Sequence, residues 1–186
     1  MEDYRTVAWM LIAGAVLFLA AAFNPSSAVF TQADPGAKLN IIQDRRTLWN
    51  ISQVLFGAGA AVTALAVLVL AVRWLDTSAG IPLLVGGAAM VVGAVLWDIH
   101  VYQRAVNPVG FVEGELSAWL FSAYTLLTLF GLLILGLSFI QVGLPAWLGY
   151  GTAVAAILLT VAYFVFNDMP PFIYYVITLI SAFVLL

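Results

Sequence analysis

Six apolar stretches run through the chain, at about residues 6–23, 50–72, 81–101, 115–140, 146–166 and 171–186. Each reaches or approaches the roughly 20 mainly apolar residues that a helix needs to cross the hydrocarbon core of a bilayer. The breaks between them carry helix punctuation. Asn24-Pro25-Ser26-Ser27 ends the first stretch. Gly80-Ile81-Pro82, Gly143-Leu144-Pro145 and Pro170-Pro171 each place proline at a helix start, where its missing N–H does no harm. The pattern predicts an all-α, polytopic integral membrane protein of the cell membrane, one transmembrane domain over residues 1–186 built as a six-helix bundle.

Between the first two stretches lies a long connection, residues 24–49. In its second half Leu39, Ile41, Ile42, Leu48 and Trp49 interleave with Lys38, Asn40, Gln43, Asp44, Arg45 and Arg46. Leu39, Ile42 and Arg46 fall at i, i+3 and i+7, so the apolar face is short. This predicts a brief amphipathic helix lying at the membrane interface, or, in its functional version, a lid over a cavity on that side.

Composition agrees with the pattern. The chain is 65% hydrophobic and 8% charged, with a mean hydropathy of +1.11, whereas about a quarter of the residues in soluble domains are charged. The first stretch reads poorly as a cleaved signal, because Met1-Glu2-Asp3-Tyr4-Arg5 is acidic where a signal is basic; Ala20-Ala21-Ala22 keeps processing open as an alternative. There is no cysteine, which removes disulfides, thiolate ligands and thiol catalysis.

Six spans put both termini on one side, side A, and the long connection on the other, side B. Glu2, Asp3, Arg5, Arg73 and Asp76 belong to side A. Asp34, Lys38, Asp44, Arg45, Arg46, Asp98, His100, Arg104, Glu113, Glu115 and Asp168 belong to side B. Lysine and arginine divide too evenly for the positive-inside rule to assign an orientation. The crowding on side B is what bears on function.

Helices associate in lipid through small residues and side-chain hydrogen bonds, and several spans carry stripes of that kind. Ser52, Phe56, Gly59, Thr63 and Ala66 share one face. Ser117, Phe121, Tyr124, Thr128, Gly131 and Ser138 share another; Gly149, Ala153, Ala156, Thr160, Tyr163 and Asn167 a third; Pro171, Tyr174, Thr178 and Ser181 a fourth. In the third span Gly86, Met90, Gly93, Trp97, His100 and Arg104 make one face, close-packing at its side-A end and polar at its side-B end. Asp98 and His100, two apart, lie roughly 200° from each other around a helix, so neither can pair with the other. Asp98 instead shares an adjacent face with Tyr102. The converging stripes predict a side-B polar cavity bounded by Trp97, Asp98, His100, Arg104, Tyr163 and Asn167, with Arg45 or Arg46 at its mouth; a solvated helix end is the alternative for Asp98, His100 and Arg104.

Most chemistry is excluded. One histidine rules out bis-histidine haem, the usual zinc sets need cysteine or more histidine, and no phosphate loop or Gly-x-Ser-x-Gly occurs. His100 with Asp98, Glu113 and Glu115 matches no metal spacing, so neither a metal nor a cofactor is expected. Glu113 and Glu115 suit a solvated helix start. The central thirds of the spans carry no ionisable residue, against a pump for charged substrates. Gly80-Ile81-Pro82 with Gly86 recurs as Gly143-Leu144-Pro145 with Gly149, a weak sign of a duplicated hairpin.

Three segments together resemble an uncharacterised family of small prokaryotic multispanning membrane proteins, a domain of unknown function. They are Asp34-Pro35-Gly36-Ala37 before a short helix, Leu144-Pro145-Ala146-Trp147-Leu148-Gly149, and Asp168-Met169-Pro170-Pro171-Phe172-Ile173-Tyr174-Tyr175. The acidic amino terminus departs from the family. The resemblance implies architecture and carries no catalytic residue.

Two functions follow as expectations. The favoured one is a binding or accessory protein with membrane lipids as partners and no nucleic acid, holding a lipid-like or isoprenoid small molecule or packing against a larger membrane complex. The other is a membrane-embedded enzyme acting on an apolar substrate, with Asp98 or Glu113 as general acid.

Overall fold

The computed structural model describes residues 4–186, so Glu2 and Asp3 of the acidic terminus lie outside the described residues. Those described are helical, with no strand: α1 Arg5–Ala22, a 3₁₀ segment Pro25–Thr31, α2 Pro35–Asp44, α3 Arg46–Arg73, α4 Gly80–Val106, α5 Pro108–Val112, α6 Ala118–Gln141, α7 Ala146–Phe166 and α8 Phe172–Leu185. Five of these helices, α1, α3, α4, α6 and α7, are long and apolar enough to cross a membrane. Helix α8 is apolar but has 14 residues, about 21 Å at 1.5 Å per residue.

Successive long helices run antiparallel. At one end Tyr4 of α1 meets Trp74 beyond α3, whose Nε1 donates to the tyrosine hydroxyl at 3.2 Å. At the other, Asn24 beyond α1 donates to Ser52 near the start of α3. Around the bundle the order is α8, α1, α3, α4, α6, α7, and α7 only grazes α8.

Small residues set the helix spacing. A Cβ on Gly59 of α3 would lie 2.8 Å from the Gly14 carbonyl oxygen and 2.8 Å from the Phe18 nitrogen, both backbone atoms of α1. Gly86 and Gly93 of α4 face α6, where added Cβ atoms would come within 2.9 Å of Ile134 and 3.2 Å of Leu127. Apolar chains gain nothing by leaving lipid for one another, so close backbone approach is what holds such helices together. All six members of the α4 stripe, from Gly86 to Arg104, are buried, as are all five of the α3 stripe.

The long connection is more structured than one amphipathic helix. Asn24 caps the 3₁₀ segment by accepting from the Ser26 nitrogen, and Asp34 caps α2 by accepting from the Ala37 nitrogen at 2.6 Å. Helix α2 stops at Asp44, and α3 starts at Arg46, before the apolar stretch begins. At the far end α4 runs on to Val106, past the expected limit near residue 101, and α5 forms a further turn where none was anticipated. Hydropathy marks where a helix lies in lipid; its hydrogen-bond ladder continues into the polar layer regardless. The 3₁₀ segment, α2 and α5 gather over side B around a small apolar cluster of Val29, Ile42, Trp49 and Val112.

Candidate functional site

The side-B cap is tied down by the arginines expected at a cavity mouth. Exposed Arg45 donates through Nη1 to the Pro25 carbonyl at 2.9 Å. Half-buried Arg46 donates through Nη2 to the Ala105 carbonyl, and fully buried Trp49 donates through Nε1 to the Arg104 carbonyl at 3.3 Å. The last two bonds join the start of α3 to carbonyls in the final turn of α4, groups that no intrahelical donor can reach. Beside the α2–α3 elbow is a hollow of about 400 Å³ walled by Arg45, Arg46 and their neighbours.

Beneath this cap the two sides of α4 differ. Trp97, His100 and Arg104 point inward. Trp97 stacks on Tyr124 at 4.5 Å between ring centroids and contacts Phe18 and Phe56. His100 lies against Trp97 and Phe121 at 5.6 and 6.3 Å. The Arg104 guanidinium sits 5.4, 5.2 and 5.0 Å from the rings of Phe30, Trp97 and Phe111, which come from the 3₁₀ segment, α4 itself and α5. No hydrogen-bond partner meets Trp97 Nε1, His100 Nδ1 or Arg104 Nε, all sealed from solvent. Two nearby hydroxyl pairs are satisfied: Tyr163 donates to Ser122 at 2.6 Å, and Tyr124 and Tyr175 share a bond of 2.8 Å. Asn167 is exposed and ends α7 with a left-handed φ of 54°. Tyr163 is buried on α7, and neither it nor Asn167 lines the cleft into which Asp98 points.

Asp98 points the other way, into a cleft between α3 and α4 that opens sideways. The cleft has a volume of about 540 Å³ and is lined by Asn50, Gln53, Gly57, Ala58, Ala61 and Val54 from α3 and by Asp98, Val101, Tyr102 and Ala105 from α4. Gly57 is what admits the carboxylate: a Cβ there would collide with Asp98 Oδ1. That oxygen is sealed and makes no hydrogen bond. Gln53, almost wholly buried, spends its amide nitrogen on the Trp49 carbonyl at 3.4 Å and leaves its own Oε1 without a donor. Asp98 stands eight residues inside the end of α4, about 12 Å along the axis, where the uncharged stretch gives out. A buried acceptor with no donor is costly, and two such acceptors, Asp98 Oδ1 and Gln53 Oε1, flank this cleft.

Glu113 and Glu115 are exposed on the turn after α5, outside the cleft lining. Among the described residues, no group of three or more histidines and carboxylates converges on a point where a metal could sit. The expected side-B residues thus fall into two groups back to back on α4, Asp98 with Tyr102 outside and Trp97, His100 and Arg104 inside. The sequence reading missed the α3 wall of the cleft, although Asn50, Gln53, Gly57 and Ala61 recur at i, i+3, i+7 and i+11 next to the stripe that it did read. No family model, no curated protein and no solved structure matches this chain.

Proposed function

We propose that this is a six-span binding protein of the cell membrane, with α8 as the sixth span and α2 at the interface, and that the α3–α4 cleft takes a lipid-like molecule from the bilayer. The observation that carries the reading is the pair of unpartnered acceptors, Asp98 Oδ1 and Gln53 Oε1, in a mainly apolar cleft that opens sideways. An apolar body fits against Val54, Ala58, Ala61 and Val101, while a polar end bearing N–H or O–H donors meets the Asp98 carboxylate near side B. Sites of this kind combine an apolar wall with a few polar groups that fix orientation. Association with a larger membrane complex is compatible with the same cleft, the donor then coming from a partner helix.

The enzymatic alternative would use Asp98 as general acid on an isoprenoid or lipid. The cleft offers no second carboxylate and no histidine to return the proton, so binding is the reading we carry. The test is mass spectrometry of lipids extracted from protein purified in a mild detergent. The expected result is one species enriched over bulk lipid in the wild type, reduced in Asp98→Asn and lost in Ala58→Leu, which fills the cleft. Bulk lipid composition in all three folded proteins would sink the reading.

A further inference from the structure

We infer a second site, independent of the cleft and of opposite charge preference: the inner face of α4 at His100 and Arg104 binds a phosphate-type anion on side B. Arg104 is 9% exposed and His100 5%. They lie four residues apart on one helix face, close enough for the charge of one to act on the other. Arg104 has no carboxylate within ion-pair distance and no side-chain hydrogen bond. Buried arginines are ordinarily paired, because an uncompensated charge in the interior is strongly unfavourable.

The three rings around Arg104 do not remove that need. Cation–π contact is an attraction to the ring and supplies no oxygen or nitrogen acceptor to the guanidinium N–H groups. Phe30, Trp97 and Phe111 therefore surround the group and leave its donors without such an acceptor. Arg104 Nε, His100 Nδ1 and Trp97 Nε1 are sealed without partners. His100 Nε2 and the two Nη atoms of Arg104 also lack partners and are not sealed, so they form the accessible edge of the site. A planar fork of donors with a second nitrogen group one turn away is the arrangement that recognises tetrahedral oxyanions. The acid whose charge acts on Arg104 is Asp168, exposed on the turn between α7 and α8. It is a built-in competitor for the anion rather than a bound partner.

A lipid headgroup and free phosphate share this chemistry, and the experiment separates them. Protein labelled with ¹⁵N-arginine in a phosphate-free sugar detergent is titrated with inorganic phosphate or with phosphatidylglycerol, against chloride at matched ionic strength. The Arg104 Nε–H resonance, assigned by its loss in Arg104→Gln, is expected to shift with phosphate-bearing ligand and not with chloride. A response to both identifies an open anion site, and a response to one names its source. Arg104→Lys keeps the charge but loses the fork and should weaken binding about tenfold, while Asp168→Asn should tighten it. Asp98→Asn should leave the titration unchanged, which separates this site from the cleft. An Arg104 resonance indifferent to both phosphate and phosphatidylglycerol in folded protein would overturn the proposal.

Discussion

The two ends of the bundle are held together by different means. Toward side A the helices touch through backbone: an added Cβ on Gly136 of α6 would lie 2.6 Å from the Ala153 nitrogen and 2.7 Å from the Gly149 carbonyl oxygen of α7. Toward side B, rings and polar groups meet between the helices. Phe18 stacks on Tyr175 at 3.7 Å, Trp97 stacks on Tyr124, and the cap hangs on bonds from Arg45, Arg46 and Trp49. The orphaned polar atoms of α4, on Trp97, Asp98, His100 and Arg104, lie toward side B, whereas Thr63 Oγ1 and Ser138 Oγ are orphaned beside or near the glycine contacts.

The largest expected effect comes from attacking the backbone contact. Gly136→Leu should abolish recovery of folded protein from detergent, exceeding the ~1–3 kcal/mol usual for overpacking, because main-chain atoms cannot swing aside. Gly93→Leu meets a side chain, Leu127, and should lower the thermal midpoint less. Equal effects would mean that backbone and side-chain neighbours give way alike to an added side chain.

Next in size is the cap. Trp49→Ala would leave a cavity among Val29, Ile42 and Val112 and free the Arg104 carbonyl, a loss of roughly 3–5 kcal/mol by analogy with other buried tryptophans. The measurement is unfolding in a denaturing detergent, read together with protease cleavage within residues 24–45. Cleavage should appear before the bundle unfolds. Simultaneous loss of both would show that the cap and the bundle are one cooperative unit. Arg46→Gln, which removes a single charge-assisted bond to a carbonyl, should cost about 1.5 kcal/mol in the same assay.

The side-A half was legible in the sequence and the side-B half only in part. Glycine and small-residue stripes repeat with the helix period, so Gly59, Gly86, Gly93 and Gly149 could be placed on inner faces from spacing alone. The angle between Asp98 and His100 was also fixed by spacing, and the two do point apart. Which helix each would face was not fixed, because lateral order around a bundle depends on three-dimensional packing. The stripes of the third and fifth spans were read as converging, yet α6 lies between α4 and α7. The α3 wall of the cleft was missed because Gln53 and Asn50 look like ordinary interfacial residues until Gly57 brings α4 close. The α5 turn escaped notice because five residues between Asn107 and Glu113 carry no periodicity to read.

The smallest expected effect is the most informative about the cleft. Asp98→Asn is isosteric, and the oxygen that it replaces makes no hydrogen bond in the protein. A carboxylate kept for an ion pair would be missed when neutralised; one kept for a ligand would not. Removing the charge from a site near the lipid boundary also removes a solvation cost, which is below the ~2.5–3.5 kcal/mol of a span centre but still unfavourable. Delipidated Asp98→Asn should therefore match the wild-type thermal midpoint to within about 0.5 kcal/mol, or exceed it. With the native lipid present the order should reverse, since the wild type holds its ligand more tightly than the mutant and gains more stability from it. A mutant less stable than the wild type by the same amount with and without lipid would make Asp98 a structural residue, and the side-B end would then differ from the side-A end in its packing alone.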